Sequence, residues 1–129
     1  MKKNFDAWKD RIDPCEANCP SRDILDLIGD RWSLLLMLVI AQGAHRNGEL
    51  KRRVGGISQK MLTQTLRALE ANGLVDRRDF QTVPPHVEYH LTALGSSLQQ
   101  AMAPLFGWIE SEFDAVLSAR AAFAGREAA

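Results

Sequence analysis

The chain has 129 residues and a formal net charge of zero at pH 7, with 46% hydrophobic and 25% charged residues. This length and composition predict one globular domain, and neither the apolar run at residues 34–41 nor the mixed-charge N-terminus is a membrane span or an export signal. Two cysteines do not make the disulfide framework of a small secreted domain, so we expect a soluble, cytoplasmic protein without a membrane partner.

The first three predicted elements are helices. An N-terminal helix over residues 4–12 carries an isolated apolar stripe, which must pack against a distant part of the chain or against another chain. A segment containing two prolines separates it from a second helix over residues 21–29. The side chains of this second helix that are expected to point inward are Ile24, Leu25, Leu27 and Ile28. The third helix, residues 31–40, is nearly all apolar and should be the most buried element.

Two short helices joined by a tight turn follow. Asn47 is expected to cap the first, and Ser58 supplies the N-cap of the second, which stops at Asn72-Gly73. The second is amphipathic, with an apolar face formed at helical spacing by Leu62, Leu66 and Leu69. Its other face carries side chains that can contact base edges or phosphates in a DNA groove, namely Gln59, Lys60, Thr63, Gln64 and Arg67.

The C-terminal half predicts a two-stranded ribbon and a long helix. Residues 74–80 and 87–91 are the two strands, and the connection between them contains Pro84-Pro85 and forms an exposed loop. Thr92 is expected to cap the final helix. Pro104 is expected to end or kink it nearby, and residues 121–129 are expected to be a frayed tail.

This element order predicts an α+β, mainly helical fold, a winged helix-turn-helix with additional N- and C-terminal helices. We expect one domain with an N-terminal arm (1–18), a winged core (19–91), a C-terminal dimerisation helix (92–120) and the tail (121–129). Between His45 and Gln81, eight basic residues stand against four acidic ones, which leaves +4 there and −4 in the rest of the chain. A basic centre favours a surface that faces phosphates, and chance patchiness on a small surface is the alternative.

Three stretches carry a combined motif: Cys19-Pro20 followed by LIGDRWSLL at 27–35, GEL at 48–50 followed by ISQKMLTQTLRALEANGLV at 57–75, and VPPHVEYHLT at 83–92. Their order and spacing resemble the HxlR-type family of bacterial winged-helix transcriptional regulators, which are related to the MarR-type repressors. The resemblance covers Cys19 to about Gly95. It implies a homodimer, built from the first and last helices, that binds a pseudo-palindromic operator in double-stranded DNA. Gln59, Thr65 and His86 replace the proline, the arginine and the longer base that the family often has.

The predicted DNA contacts lie on the amphipathic helix and on basic side chains around it. Arg77 and Arg78 are neighbours on a strand, so one should face the DNA and the other should face solvent or an aspartate. For each residue taken singly, a solvated surface role is the alternative, since phosphate and sugar contacts outnumber base contacts. The full predicted set is Ser58, Gln59, Lys60, Thr63, Gln64, Arg67, Arg46, Lys51, Arg77, Arg78 and His86.

The apolar stripes of the terminal helices predict a homodimer interface, because exposed apolar patches usually mark interfaces. Packing within a single chain is the alternative. The predicted interface residues are Phe5, Trp8, Ile12, Leu98, Met102, Leu105, Ile109 and Phe113.

Cys19 stands at a helix start, where the helix dipole stabilises a thiolate. By the resemblance it aligns with a cysteine that several relatives use to sense oxidants, quinones or aldehydes. Cys15 could serve as its resolving partner, and an intersubunit disulfide is equally open; the alternative is that Cys19 is a small buried hydrophobe. The histidines and cysteines lack metal-ligand spacing, so neither a metal nor a cofactor is expected.

These features predict a sequence-specific DNA-binding regulator, most often a repressor, and not an enzyme, because the nucleotide, nucleophile and zinc-hydrolase motifs are missing. Its switch would be thiol modification at Cys19, or a small effector held between the dimerisation helices and the DNA-binding unit. A winged helix used only for protein–protein contact is the competing class.

Overall fold

The computed structural model describes residues 10–128, so most of the predicted helix at 4–12, including Phe5 and Trp8, lies outside the described residues. Within that range the chain forms five α-helices and one antiparallel pair of strands. In chain order they are α1 (Pro20–Gly29), α2 (Arg31–Ala41), α3 (Asn47–Arg53), α4 (Gln59–Ala71), β1 (Val75–Asp79), β2 (Val87–Leu91) and α5 (Ala93–Ala128). Among residues 10–128, no helix is long and apolar enough to cross a membrane.

Side-chain caps fix several helix starts. Ser58 Oγ accepts a hydrogen bond from the backbone N–H of Met61 at 3.0 Å, which confirms the predicted N-cap of α4. The predicted cap at Asn47 is wrong, because Asn47 is the first residue of α3 and Arg46 occupies the cap position without a side-chain bond. The carboxylate of Glu49 bonds the nearby N–H of His45 at 2.9 Å instead.

The core is built around α2, as its sequence predicts. Leu36, Met37 and Ile40 of α2 are almost fully buried, and α4 covers them with its apolar face. The remaining helices and strands contribute fewer side chains each, the fully buried ones being Leu50 of α3 and Leu62, Leu66 and Leu69 of α4. The helix-turn-helix pair α3–α4 is therefore anchored from within, and its polar side chains are left outside.

Helix α1 differs from its prediction. None of its residues is fully buried, and Ile24 and Leu25 are 52% and 51% exposed, although both were expected to point inward. Leu27 does pack against the core. The reason is that α1 packs mainly against α2, so that Ile24 and Leu25 on its other sides stay exposed.

The ribbon is clamped at its base to the start of α5. Val75 pairs with Leu91 and Asp79 with Val87, so the strand predicted at 74–80 is one residue shorter at each end. Thr92 Oγ1 accepts the N–H of Gly95 at 3.0 Å and donates to the carbonyl of Gly73 at 2.6 Å. The predicted cap is thus confirmed, and it also fixes the turn between α4 and β1.

Helix α5 is longer than its sequence predicts. It has 36 residues and continues through Pro104 to Ala128, so a helix end at the proline and a frayed tail from residue 121 are both wrong for the described residues. A proline removes one main-chain hydrogen bond, and the alanine-rich turns beyond it favour helix strongly enough to continue. At 1.5 Å per residue the helix is roughly 54 Å long.

Candidate nucleic-acid interface

The outer face of α4 is the most complete group of predicted DNA contacts. Its polar side chains are all exposed, while Leu62, Leu66 and Leu69 are buried behind them. Gln59 Nε2 donates to Thr63 Oγ1 at 3.2 Å, so these two side chains orient each other across one helical turn. In the described part of the chain, Lys60, Gln64 and Arg67 make no side-chain hydrogen bond or ion pair. Their donors remain available to a groove.

Helix α3 adds positive charge beside α4. Lys51, Arg52 and Arg53 occupy its last turn and are exposed, and Arg53 is tied to Gln42 Oε1 at 2.6 Å. Cations at a helix C-terminus also interact favourably with the helix dipole. Arg46 is exposed at the other end of the helix. The predicted residues Arg46 and Lys51 therefore lie at opposite ends of α3, where they can contact phosphates.

The two arginines of the wing are both paired. Arg77 and Arg78 project from opposite faces of β1, as predicted, but each contacts an aspartate two residues away: Arg77 with Asp79 at 3.9 Å and Arg78 with Asp76 at 3.2 Å. Exposed pairs of this kind contribute about 0–1 kcal/mol. They can be exchanged for phosphate contacts, but in the free protein they offset most of the wing's positive charge.

His86, the last of the predicted DNA contacts, is also already bonded. Its Nε2 lies 2.7 Å from Glu88 Oε2, and its ring packs on Phe80 with the centroids 4.6 Å apart. The other carboxylate oxygen of Glu88 lies 2.8 Å from His90 Nε2. Hydrogen bonds from His90 and then His86 hold the pKa of Glu88 below its ordinary value.

These contacts form a network that was not predicted from the sequence. We call it the wing histidine network, and it consists of His86, Glu88, His90 and His45. The ring of His45 stacks on that of His90 at 3.9 Å, and His45 Nδ1 lies 2.9 Å from the carbonyl of Tyr89. The available signal was the period of two that places residues 86, 88 and 90 on one face of a strand. The contribution of His45 could not be foreseen, because it comes from a different part of the chain.

Cys19 is held in a position that activates its thiol. It is the N-cap residue of α1, and its Sγ lies 3.0 Å from Ser21 Oγ and 3.5 Å from the backbone N–H of Asp13. These hydrogen bonds, with the Ser21 hydroxyl contributing most, hold the pKa of the Cys19 thiol below its ordinary value. Cys15 is exposed in the same loop, both thiols are free, and Arg22 bonds the Cys15 carbonyl at 3.3 Å.

The predicted interface residues on α5 fall into two groups. Met102 is only 5% exposed and belongs to the core of this chain, so its assignment to a dimer interface is wrong; at that level α5 still packs against α2. Leu98 is also partly covered by the core. Farther along, Phe106 still packs against the core, but most apolar side chains are exposed, and three of these were not predicted as interface residues. The exposed ones form a distal stripe that consists of Leu105, Trp108, Ile109, Phe113, Leu117 and Phe123. Ile12 is likewise exposed.

This arrangement of helices and ribbon is matched in known proteins. The sequence model of the HxlR-like helix-turn-helix family matches residues 27–116. The chain belongs to this family. It is 44% identical over 102 residues to the uncharacterized HTH-type transcriptional regulator YtfH of Escherichia coli (strain K12), covering 79% of this chain and 81% of that protein.

Two solved structures support the same assignment for this HxlR-like protein. The putative transcriptional regulator YtfH from Salmonella typhimurium superposes with a TM-score of 0.80 at 41% identity, covering 85% of this chain and 98% of that one. The redox regulator HypR in its reduced form superposes with a TM-score of 0.70 at 39% identity, covering 77% and 98%. The HxlR-like chain is therefore a transcriptional regulator with a winged helix-turn-helix DNA-binding domain, and not an enzyme.

A cavity of about 390 Å³ opens beside the DNA-binding unit of this HxlR-like regulator. Leu27 and Ile28 of α1 form one wall, Asn72 and Leu74 line the turn after α4, and Leu98 belongs to the α5 wall. The lining is apolar apart from the Asn72 amide and the hydroxyl of one serine on α5. Among residues 10–128, no three histidine, cysteine or acidic side chains are grouped to hold a metal ion.

Proposed function

We propose that this HxlR-like regulator is a homodimer that binds a pseudo-palindromic operator and represses the adjacent gene. The observation that carries the proposal is the outer face of α4, where exposed amide, hydroxyl and basic side chains lie directly over a fully buried apolar face. Such a helix can enter a major groove without exposing its core. The basic ends of α3 lie on the adjoining helix and can hold the DNA backbone.

The predicted DNA contacts on α4, together with Lys51 of α3, divide by chemistry. Gln64, which has no partner on its own helix in the described residues, is suited to bidentate pairing with adenine, and Arg67 to guanine or phosphate. The Gln59–Thr63 pair presents a fixed donor and acceptor pattern at the start of the helix. Lys60 and Lys51, as flexible point charges, suit phosphate. Base preference therefore rests on the amides and Arg67, and affinity on the lysines.

Selection of fragments from the source organism's genome tests the proposal. We expect one enriched sequence with two half-sites about one helical turn apart. Gln64→Ala should relax the base preference at one position in each half-site. Lys60→Ala should instead weaken binding to all sequences and reduce the slope of log affinity against log salt concentration by about 1. Glu70→Gln, on the same helix but at its far end, is the matched control. If no sequence is enriched, the regulator acts through protein–protein contact instead.

The proposed trigger is modification of Cys19. Its half-buried thiol sits at a helix N-terminus beside Ser21 and the Asp13 N–H, where the thiolate is stabilised, and the related HypR is named a redox regulator. Formation of a disulfide with a second thiol gives two electrons and two protons to the oxidant. Oxidised Cys19 loses both hydrogen bonds, which frees the loop before α1 and changes how α1 packs on α2.

The thiol trigger is tested with diamide, which accepts the two electrons and two protons. We expect the oxidant to change DNA affinity in wild type and in Glu16→Gln, the loop control, but not in Cys19→Ser. Cys15→Ser distinguishes the bridging partner: the response disappears if Cys15 resolves Cys19, and it persists as a covalent dimer on a non-reducing gel if Cys19 bonds its counterpart. An equal response in Cys19→Ser would remove Cys19 as the sensor.

The cavity between α1, the α4–β1 turn and α5 supports a second trigger, a small apolar effector with one polar group for Asn72 or the α5 serine. It lies where the recognition helix meets the dimerisation helix, so a ligand there would change the angle between them. Leu98→Trp fills the cavity from its α5 wall. In a screen of apolar aromatic acids and amides, hits that release wild type from DNA should have no effect on Leu98→Trp.

A further inference from the structure

One face of the wing carries an alternation of ionisable side chains. On the β2 side this face consists of His86, directly before the strand, and of Glu88 and His90 on it, each two residues from the next. On β1, Arg78 lies opposite Glu88 and Asp76 opposite His90. Glu88 bonds a histidine on each side, at 2.7 Å and 2.8 Å, so its carboxylate holds the centre of the face.

These bonds fix which nitrogen of each imidazole carries the proton. An ionised carboxylate only accepts hydrogen bonds, so Nε2 of His86 and Nε2 of His90 must be the donors to Glu88. The carbonyl of Tyr89 likewise only accepts, so His45 donates from Nδ1. The lowered pKa of Glu88 agrees with an ionised carboxylate at neutral pH.

The tautomer of His86 determines what it can offer to DNA. A neutral imidazole has one N–H, and in His86 that N–H is used by Glu88. Its Nδ1 then carries a lone pair and no hydrogen, so it cannot donate to a phosphate oxygen and is repelled by it. Only the imidazolium has N–H groups on both nitrogens, so that it can keep Glu88 and still donate to a phosphate. The side chain is 36% exposed, which leaves it open to an incoming strand.

We propose that DNA binding by the wing is coupled to the uptake of one proton at His86, whose imidazolium bridges Glu88 and a backbone phosphate. The inference rests on the proposed function and deepens it. The loop and turn residues 80–87 contain no lysine or arginine, and Arg77 and Arg78 are already paired with aspartates. Protonated His86 is therefore the charge that the wing tip brings to DNA.

The groups that face His86 are one carboxylate, one aromatic ring and one ion pair. Glu88 accepts a hydrogen bond from Nε2 of His86, and Phe80 covers one side of the His86 ring without a charge of its own. Arg78 lies opposite Glu88, and Asp76 holds its guanidinium at 3.2 Å.

His90 differs because the ring of His45 stacks on it at 3.9 Å, and two imidazoliums at that distance would repel each other. An arriving phosphate adds its negative charge at His86, near the wing tip. Imidazoles ordinarily titrate between pH 5 and 8, the range in which such coupling has an effect.

Calorimetry of operator binding at pH 7 in two buffers of different ionisation enthalpy, phosphate and Tris, measures the protons taken up per site. We expect proton uptake in wild type. The affinity should fall as the pH rises from 6 to 8, so that the Kd increases by no more than about tenfold per pH unit for one proton. His86→Gln keeps a donor for Glu88 but cannot be protonated, and should abolish both effects. His90→Gln, on the same strand and with the same carboxylate partner, is the matched control and should retain them.

Two further results bear on the coupling. In free protein labelled with nitrogen-15, the ring shifts of His86 should report the Nε2–H tautomer at pH 8, and the opposite tautomer would overturn the proposal without any variant. DNA binding that is independent of pH, or a pH dependence retained by His86→Gln, overturns the coupling but leaves the proposed function intact. Absence of an enriched DNA fragment at every pH from 6 to 8 overturns both.

Discussion

Helices α4 and α5 are both amphipathic, but only α4 finds all of its apolar partners within one chain. Leu62, Leu66 and Leu69 of α4 are at most 1% exposed. In α5 the buried apolar side chains end at Met102, and Ile109 and Phe113 farther along are about half exposed. The two helices are therefore of different kinds: the apolar face of α4 completes a core, whereas the distal apolar face of α5 stays exposed in the single chain.

The same distinction divides the molecule into a firmly packed part and a part with exposed apolar side chains. The half that carries the helix-turn-helix and the wing, α3, α4 and the ribbon, is fixed by its own core and by the hydrogen bonds of Thr92. The outlying parts, α1 and the distal stripe of α5, expose apolar side chains, and α1 also borders the cavity. In the proposed homodimer both properties have a use, because the DNA-binding unit must be rigid while the parts that set the spacing of the two units must be able to shift.

The largest expected effect is loss of the dimer when the distal stripe of α5 is made charged. Ile109→Asp combined with Phe113→Asp places two carboxylates on the proposed interface, where desolvating them costs far more than the contacts return. We expect sedimentation to show a monomer and circular dichroism to show that it is folded. Operator affinity should fall by roughly two orders of magnitude, because half of the DNA contacts are lost.

The control for this change is Ser111→Asp, which adds a carboxylate on the other side of the same helix. It should leave the dimer unchanged. If the double variant remains dimeric, the distal stripe of α5 does not hold a second copy of this chain.

The second prediction concerns the self-contained helix. Leu66→Ala removes a side chain that is 1% exposed and should lower the free energy of unfolding by about 2–5 kcal/mol. Ile109→Ala, a comparable truncation on α5, should have little effect within a single chain, because Ile109 is 46% exposed. Both truncations are compared on a Phe113→Asp background whose monomeric state is first checked by sedimentation. Urea unfolding of both measures the difference. Equal losses would mean that the distal stripe packs within its own chain.

The sequence predicts the α4 half better than the α5 half for a physical reason. Periodicity locates an apolar face, and in α4 that face meets α2, so the boundaries at Ser58 and Asn72-Gly73 and the buried leucines follow directly. Periodicity cannot tell which chain covers a face, so Met102 was assigned to an interface although α2 covers it. Local rules also fail at Pro104, where one lost hydrogen bond is outweighed by the helical turns on both sides.

The candidate site shows the same limit. The exposed side chains of α4 could be predicted because they lie on one helix. The helix start predicts the direction in which the pKa of the Cys19 thiol moves, but the hydrogen bonds from the Ser21 hydroxyl and the Asp13 N–H that lower it were not foreseen. The ion pairs of Arg77 and Arg78 were only partly foreseen, and the stacking of His45 on His90 was not. That contact joins residues 45 positions apart in sequence, and no local pattern specifies it.

The third prediction tests how firmly the proximal end of α5 is held. A Cβ at Gly95 would overlap the carbonyl oxygen of Leu74, which is backbone and cannot rotate away. Gly95→Ala should therefore cost about 1–3 kcal/mol, although alanine is the better helix former. Gly107→Ala, in the same helix but with open space around it, should instead stabilise the protein by about 0.5–1 kcal/mol. Thermal unfolding measures both variants, and melting temperatures that shift in opposite directions would confirm that the proximal end of α5 is anchored.

The smallest expected effect distinguishes the two helix starts. Ser58→Ala removes the bond to the Met61 N–H and should cost about 1 kcal/mol, the usual value of an N-cap. Thr92→Ala removes two bonds, to the Gly95 N–H and the Gly73 carbonyl, and should cost more than Ser58→Ala in urea unfolding. Because Thr92 joins α5 to the turn after α4, its loss should also weaken operator binding, whereas Ser111→Ala, at an exposed hydroxyl of α5, should change neither. Equal losses at Ser58 and Thr92 would mean that the wing is held by β1–β2 pairing alone.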